Sequence, residues 1–169
     1  ELGVHHACNR VHQLAQLDAR RKGMGTTLVA LLLCGNRGFI AHVGDSRVYL
    51  LRDQEIHQLT EDHSLANEFI RLGVLKREDL PSFPYKNVIV RALGLQEEVV
   101  VDSFYRTAKP GDRFLLCSDG LTDLVSDEEI TAILMDIPGA KEATEALVAD
   151  ALELGGVDNV TVMVVDTHD

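Results

Sequence analysis

Short apolar segments separated by turn residues fill the stretch from Leu28 to Thr60, and this pattern constrains the fold more than any other feature. From Phe39 onward the segments are rich in β-branched and aromatic residues, and turn-forming residues recur every six to nine positions. Turns this close leave no room for crossover helices, so we expect consecutive strands to pair as an antiparallel meander. The segment "LVALLLC", which comes first, is continuously apolar and predicts a strand buried on both faces.

Four later segments are also strand-like, namely "VIVRALG", "VVVDSFYRTA", "RFLLCS" and "NVTVMVVD". The last of them alternates little between apolar and polar residues, so we expect it at the centre of a sheet. Helical patterns stand apart from the strands. Ser64 and Gly73 bracket a short helix, and Ser126 with Glu129 forms a capping box that opens a helix ending before Pro138. A second amphipathic helix follows in "AKEATEALVADALELGG". Segregated strands and helices predict an α+β fold.

The chain begins inside a helical pattern. Glu1 rather than Met is the first residue, apolar residues already recur at helical spacing, and no Ser, Thr, Asp or Asn precedes them as a cap. We therefore expect the sequence to start within a domain and to lack that domain's N-terminal segment. Residues 1–169 otherwise read as a single domain, without an internal repeat or a linker.

Charge and cysteine content narrow the function classes. The net charge of −11 argues against nucleic acid and anionic membrane as partners. The three cysteines, Cys8, Cys34 and Cys117, follow no zinc-ligand spacing and predict reduced thiols in or near the core of a cytoplasmic protein. No apolar stretch reaches transmembrane length, so we expect no membrane insertion. We also expect a monomer.

Three aspartates lie at the ends of predicted strands. Asp45 closes "FIAHVG", Asp119 follows "RFLLCS" and Asp158 immediately precedes "NVTVMVV". If these strand ends converge, three carboxylates share a small volume and repel one another unless a cation neutralises them. Carboxylate oxygens favour Mg²⁺ or Mn²⁺, and such ions would make an acidic protein locally attractive to phosphate. The alternative interpretation of each aspartate is a solvated turn former.

Five blocks in order carry a resemblance to a known family: "GMGTTLVALL", "HVGDSRVYLLRDQEIHQLTEDHS", "NVIVRALG", "GDRFLLCSDGLTDLVSDEEI" and "GGVDNVTVMVV". Together they cover nearly the whole chain. The sequence resembles the 2C-type, metal-dependent protein serine/threonine phosphatases in their bacterial form.

The resemblance implies two antiparallel sheets sandwiched between helix layers and hydrolysis of phosphoserine and phosphothreonine in proteins by a metal-activated water. It implies that Asp119 and Asp158 bind a pair of Mn²⁺ or Mg²⁺ ions. Asp45 is similar to a ligand of a third, weaker ion, to which Asp119 also contributes. Residues 65–84 resemble a mobile flap beside the active site. Phosphorylated proteins, and a cognate serine/threonine kinase, are the implied partners.

Two departures from the family pattern affect the chemistry. The family's opening Arg, its Glu-Asp pair and its metal-bridging Asp-Gly motif have no counterpart in this sequence. Phe83 stands where many bacterial relatives have a His that is thought to act as an acid or to contact the substrate, so the proton for the leaving group would come from a water. His63 follows Asp62 directly, and the two could form a pair.

Three functions remain open on the sequence. The first is a metal-dependent protein phosphatase, and the second is a catalytically incomplete fragment or pseudophosphatase that acts as a protein-interaction domain. The third is a two-metal nuclease, which the acidic charge and the lack of a basic stripe disfavour.

Overall fold

The computed structural model describes residues 1–168, which form an α+β protein with two antiparallel sheets, as predicted. The helices are α1 (Leu2–Leu17), α2 (Leu65–Arg71), α3 (Asp119–Thr122), α4 (Asp127–Asp136) and α5 (Ala140–Glu153), with 3₁₀ turns at Ala19–Arg21 and Arg77–Ser82. The strands are β1 (Leu28–Cys34), β2 (Arg37–Val43), β3 (Arg47–Arg52), β4 (Glu55–Gln58), β5 (Asp102–Thr107), β6 (Arg113–Cys117) and β7 (Val162–Asp166). The capping box at Ser126 opens α4, and Ser64 caps α2.

The chain comprises two compact units. The first contains Glu1–Ala30, Ile40–Asp45 and Glu61–Phe104, and the second contains Leu31–Phe39, Ser46–Thr60 and the chain from Tyr105 onward. The strand order of the smaller sheet is β1-β2-β5, and that of the larger sheet is β4-β3-β6-β7. The larger sheet lies wholly in the second unit.

Strand β6 is the most deeply placed element of the second unit. All five of its residues are buried, because β3 and β7 flank it and helices α4 and α5 contribute to the apolar cluster on one face of the sheet. Cys117, the last residue of β6, pairs with Arg47 at the start of β3 and with Val162 at the start of β7. The residues that follow β6 and those that precede β7 therefore meet at the same end of these two strands, and it is this border of the sheet that carries the site described below.

Arg113 fixes the opposite end of β6. Its guanidinium donates to the Asp166 carboxylate on β7 over 2.6 and 3.0 Å, and to the carbonyls of Leu134 and Ile137 at 2.6 Å. It also donates to the carbonyl of Pro138. These carbonyls belong to the last turn of α4 and the loop after it, where helix carbonyls lack partners. One buried arginine thus joins β6, β7 and the end of α4.

Several strand predictions are wrong in position or depth. β1 is largely exposed rather than buried on both faces, with Leu32 65% accessible, and it is the edge strand of its three-stranded sheet. β7 is an edge strand rather than a central strand, since in the described sheet it pairs with β6 alone. "VIVRALG" forms only the isolated bridges Ser64–Ile89 and Thr26–Leu93 in place of a strand. Cys34, expected in or near the core, is exposed.

In the first unit, α1 packs through Cys8 against Val43 and Leu93. The segment from 65 to 84 contains α2 and the 3₁₀ turn Arg77–Ser82, and its identification as a flap stays a prediction. No helix among residues 1–168 combines the length and the apolar character that crossing a bilayer would need. The three cysteines are free thiols.

Replacing Arg113 should destabilise the chain strongly. In Arg113→Met the Asp166 carboxylate and three carbonyls lose their donor, which should cost about 3–5 kcal/mol in the free energy of unfolding. Urea denaturation measures this loss. Lys141→Met removes an exposed pair with Glu145 and should change the free energy by less than about 0.5 kcal/mol. Equal effects of the two substitutions would contradict the anchoring role of Arg113.

Candidate metal centre

Asp119 is the first residue of α3, two positions beyond the end of β6. Its position is fixed from both sides, because β6 is buried throughout and the helix after it inserts the fully buried Leu121 into the core. The carboxylate itself is half-buried at the edge of the sheet. An apolar strand that ends on an acid thus delivers that acid to a defined place.

Asp158 comes to the same edge through a set of hydrogen bonds around Ser118. The Ser118 N–H donates to the Thr161 carbonyl at 3.0 Å, and the Ser118 hydroxyl donates to the Asn159 carbonyl at 3.1 Å and accepts from the Thr161 N–H at 3.0 Å. Gly120 allows this approach, since a Cβ there would collide with the Asn159 carbonyl. The Asp158 carboxylate accepts the N–H of Asn159 at 2.6 Å.

The charges at this edge repel one another. Burial raises the pKa of Asp119 above its ordinary value, and the carboxylates of Asp123 and Asp158 raise it further, while the N–H groups of Gly120 and of Asp119 itself oppose the shift. Asp119 and Asp158, both predicted as site residues, are therefore brought together. Asp123 was not predicted from the sequence as part of this site. Its spacing from Asp119 could have indicated it, because residues four apart on a helical turn lie on the same face.

The cluster of Asp119, Asp123 and Asp158 suits a divalent cation. It offers only carboxylate oxygens, the donor set that Mg²⁺ and Mn²⁺ prefer, and Asp123 and Asp158 are exposed enough for a hydrated ion to approach. A cation would also relieve the repulsion that raises the pKa of Asp119. By the chemistry of their donor atoms the residues present thus fit a metal centre, although among residues 1–168 the group whose ligand atoms lie within 4.8 Å of one another is His42, His63 and Asp102.

Asp45 lies in the first unit, directly after Gly44, and only 8% of its surface is accessible. A buried aspartate in a turn between β2 and β3 fits poorly with a solvated turn former. Its role as a ligand of a further ion stays a prediction.

A second group of ligand-type residues lies in the first unit and was missed from the sequence. His42, His63 and Asp102 bring potential ligand atoms within 4.8 Å of one another. However, the ring nitrogens of His63 and Nε2 of His42 lie at hydrogen-bond distance from protein groups, and the Arg91 guanidinium lies 2.8 Å from His63 Nε2. A neighbouring cation disfavours a metal here. His63 contacts Asp102 rather than forming the considered pair with Asp62.

Phe83 takes part in an aromatic group. Its ring meets those of Phe69 and Tyr85 edge-on, with centroids 5.8 and 5.9 Å away. Phe83 is therefore an apolar contact in this chain and offers no proton.

Comparisons with known proteins agree with this architecture. Residues 3–153 match the model of the family described as protein phosphatase 2C. The protein phosphatase PhpP of Streptococcus pneumoniae is 45% identical over 161 residues, which are 95% of this chain and 65% of PhpP. The chain therefore spans just under two thirds of the length of this relative.

Solved structures give the same result. A crystal structure of the Mycobacterium tuberculosis serine/threonine phosphatase PstP/Ppp superposes with a TM-score of 0.90 at 42% identity, covering 96% of this chain and 68% of that one. A crystal structure of the catalytic domain of PstP in complex with two manganese ions has a TM-score of 0.86 at 41% identity, with coverages of 96% and 67%.

Removing the charge of Asp119 should stabilise the chain when no divalent cation is present. Because the folded state raises the pKa of Asp119, the ionised carboxylate lowers stability at neutral pH, and Asp119→Asn relieves that repulsion. We expect a higher melting temperature than wild type in EDTA and a smaller rise on adding Mn²⁺. The control is Asp136→Asn at the exposed end of α4. A wild-type response of Asp119→Asn to Mn²⁺ would exclude Asp119 as a ligand.

Acid should destabilise the first unit through His42. Burial, and then the neighbouring His63, lower the pKa of His42 to about 4 from 6.5. The unfolded chain therefore takes up this proton first, and stability is lost as the pH falls from about 6.5 towards 4, by at most about 3 kcal/mol. Urea titrations at pH 7.5 and pH 5 should show a smaller acid loss in His42→Gln than in wild type. His57→Gln, at an exposed imidazole on β4, should keep the wild-type loss.

Proposed function

This chain belongs to the protein phosphatase 2C family, and we propose that it forms part of an enzyme that hydrolyses phosphoserine and phosphothreonine in proteins. The observation that carries the proposal is the convergence of Asp119, Asp158 and Asp123 at one edge of the larger sheet, with the charge of Asp119 held at an energetic cost. Structural proteins have little reason to retain such repulsion, whereas metal sites do.

Asp119 and Asp158 would hold a pair of divalent cations. Bound ions of this kind supply positive charge that attracts a phosphoryl group, and they lower the pKa of a water so that hydroxide is available near neutral pH. Manganese is supported by the two manganese ions in the PstP structure, and Mg²⁺ is the alternative with the same ligand preference.

The protein's own residues position and expose the site. The buried strand β6 fixes Asp119, and the Ser118 hydrogen bonds fix the loop that carries Asp158. Asp158 and Asp123 are exposed, so a phosphorylated side chain on a protein surface can reach the edge of the sheet. With a net charge of −11 the chain repels phosphate elsewhere, which confines binding to the cations.

Proton transfer to the departing serine or threonine oxygen has no donor in Phe83. Because this side chain packs against Phe69 and Tyr85, a solvent water is the proposed source of the proton. Asp45 is proposed as a ligand of a third, weaker ion, in line with its burial in the turn after β2.

The physiological setting follows from the same activity. We propose phosphorylated proteins as substrates, a serine/threonine kinase as the opposing enzyme, and a monomer in the cytoplasm. The three free thiols support a reducing compartment.

An interaction domain without catalysis is the alternative function, and the match to named serine/threonine phosphatases does not favour it. Hydrolysis of a phosphothreonine peptide by the protein that contains these residues, with and without Mn²⁺, separates the two. Cleavage of nucleic acid in the same buffer would instead favour a nuclease.

Asp119→Asn should abolish nearly all turnover of the phosphothreonine peptide. The substitution removes a ligand on which the proposed cation pair depends, so excess Mn²⁺ should not restore the rate. Phosphate release measures the effect, and Asp136→Asn, away from the sheet edge, is the matched control. Wild-type turnover in Asp119→Asn would exclude the mechanism.

Asp45→Asn should slow turnover without abolishing it, because the cation pair at Asp119 and Asp158 keeps its ligands. The rate should depend on the Mn²⁺ concentration differently from wild type. Titrating Mn²⁺ against phosphate release tests this expectation. An unchanged rate at every Mn²⁺ concentration would rule out a functional role for Asp45.

A further inference from the structure

Gly44 occupies a backbone position that other residues do not tolerate. Its φ angle is +110°, and a Cβ would collide with the side chain of Thr27. The residue is buried between β2 and Asp45. A turn of this kind needs outside hydrogen bonds to hold its peptide groups, because burial removes them from water.

Two histidines supply those bonds. The Gly44 N–H donates to Nδ1 of His63 at 3.0 Å, and the Gly44 carbonyl accepts from Nε2 of His42 at 2.8 Å and from the backbone N–H of His63 at 2.8 Å. Both rings are buried, with accessibilities of 1% and 7%, and their centroids are 4.4 Å apart. Both polar groups of Gly44 are therefore held by His42 and His63.

The hydrogen bonds assign the tautomer of each ring. Nδ1 of His63 accepts a hydrogen bond from the Gly44 N–H, so the neutral ring carries its proton on Nε2, which donates to Asp102 at 3.1 Å. The Arg91 guanidinium lies 2.8 Å from the same Nε2 but, being a donor itself, forms no hydrogen bond with it in this tautomer. His42 carries its proton on Nε2, facing the Gly44 carbonyl. Burial lowers the pKa of both rings, which keeps them neutral, as this arrangement needs.

Asp102 is in turn held by Arg91. The guanidinium donates to the second carboxylate oxygen at 2.7 Å, and the hydrogen bond to His63 and the charge of Arg91 lower the pKa of Asp102 although its burial opposes the shift. The order Arg91, Asp102, His63, Gly44 is a chain of contacts in which a carboxylate fixes the orientation of an imidazole.

The same residues lie at the two ends of the 65–84 segment. His63 precedes the cap of α2, its carbonyl accepts from the N–H of Val90 at 2.8 Å, and the N–H of Leu65 donates to the carbonyl of Val88 at 2.8 Å. Arg91 directly follows Val90 in the stretch after the segment. Both ends of the segment are thus tied to the group that holds Gly44.

We propose that His42, His63, Asp102 and Arg91, here called the histidine clamp, are positioning residues that hold the Gly44 peptide and thereby aim the Asp45 carboxylate. This inference deepens the proposed function and rests on it, because Asp45 matters only if it binds an ion. The clamp also links the geometry of Asp45 to the ends of the 65–84 segment, so a movement of that segment reaches the ligand through His63 and Arg91.

Amide hydrogen exchange tests the hydrogen bonds directly and without any activity. In His63→Leu the Gly44 amide loses its acceptor and should exchange at least about tenfold faster, measured by NMR. In His63→Asn the side-chain oxygen can take the place of Nδ1, so protection of Gly44 should largely return. The exposed His57→Leu is the control and should leave Gly44 unchanged. Unaltered protection in His63→Leu would overturn the clamp.

Phosphopeptide hydrolysis tests what the clamp does. His63→Leu should lower turnover about 10–100-fold at limiting Mn²⁺, and high Mn²⁺ should recover part of it. Because the clamp acts through Asp45, the double variant Asp45→Asn/His63→Leu should be no slower than Asp45→Asn alone. If the fold-losses of the two single variants multiply in the double variant, His63 acts independently of Asp45 and the proposal fails. If wild type hydrolyses nothing, the proposed function fails, and the exchange of Gly44 still decides whether the clamp exists.

Discussion

The buried strand β6 is the element on which the rest of the second unit depends, including the half-buried charge of Asp119. The pKa of Asp119 is raised by burial and by Asp123 and Asp158, so the fold holds an ionised group in a place that favours the neutral form. The rest of the folded structure has to offset the free-energy cost of this charge. Strand β6 contributes to this compensation, because it is buried along its length and anchored at its far end by Arg113. The stability of the sheet thus offsets the repulsion among the carboxylates.

Predictions from the sequence were accurate where local and global signals agree. β6, the capped helix α4 and the convergence of Asp119 with Asp158 follow from an apolar run, a capping box and a strand end. Depth was less predictable. The sequences of β1 and β7 are as apolar as that of β6, yet both are edge strands. Strand order depends on pairing partners that are distant in sequence, which local composition does not reveal. The apolar composition of a strand indicates that it can be buried, but it does not determine the position of that strand in the sheet.

The histidine clamp shows a different limit of sequence reasoning. His63 was weighed against its neighbour Asp62, whereas the contacts that define it are with Gly44, 19 residues earlier, and Asp102, 39 residues later. No periodicity links those positions. The one local sign is the Gly before Asp45, which marks a turn but not what holds it. A buried histidine pair is therefore visible only once β2, β5 and the residues before α2 are folded together.

Asp119 and Asp45 illustrate two ways of directing a carboxylate. Asp119 is directed by a rigid strand, so its geometry is independent of loops and suits an ion that has to stay bound. Asp45 follows a glycine whose peptide is held by the histidine clamp, so under the proposal above a movement of residues 65–84 would change its geometry. An ion bound through Asp119 would then be permanent, and one bound through Asp45 would be adjustable. If Asp45 binds the proposed third ion, that site would respond to residues 65–84 in a way that a ligand fixed by the core could not.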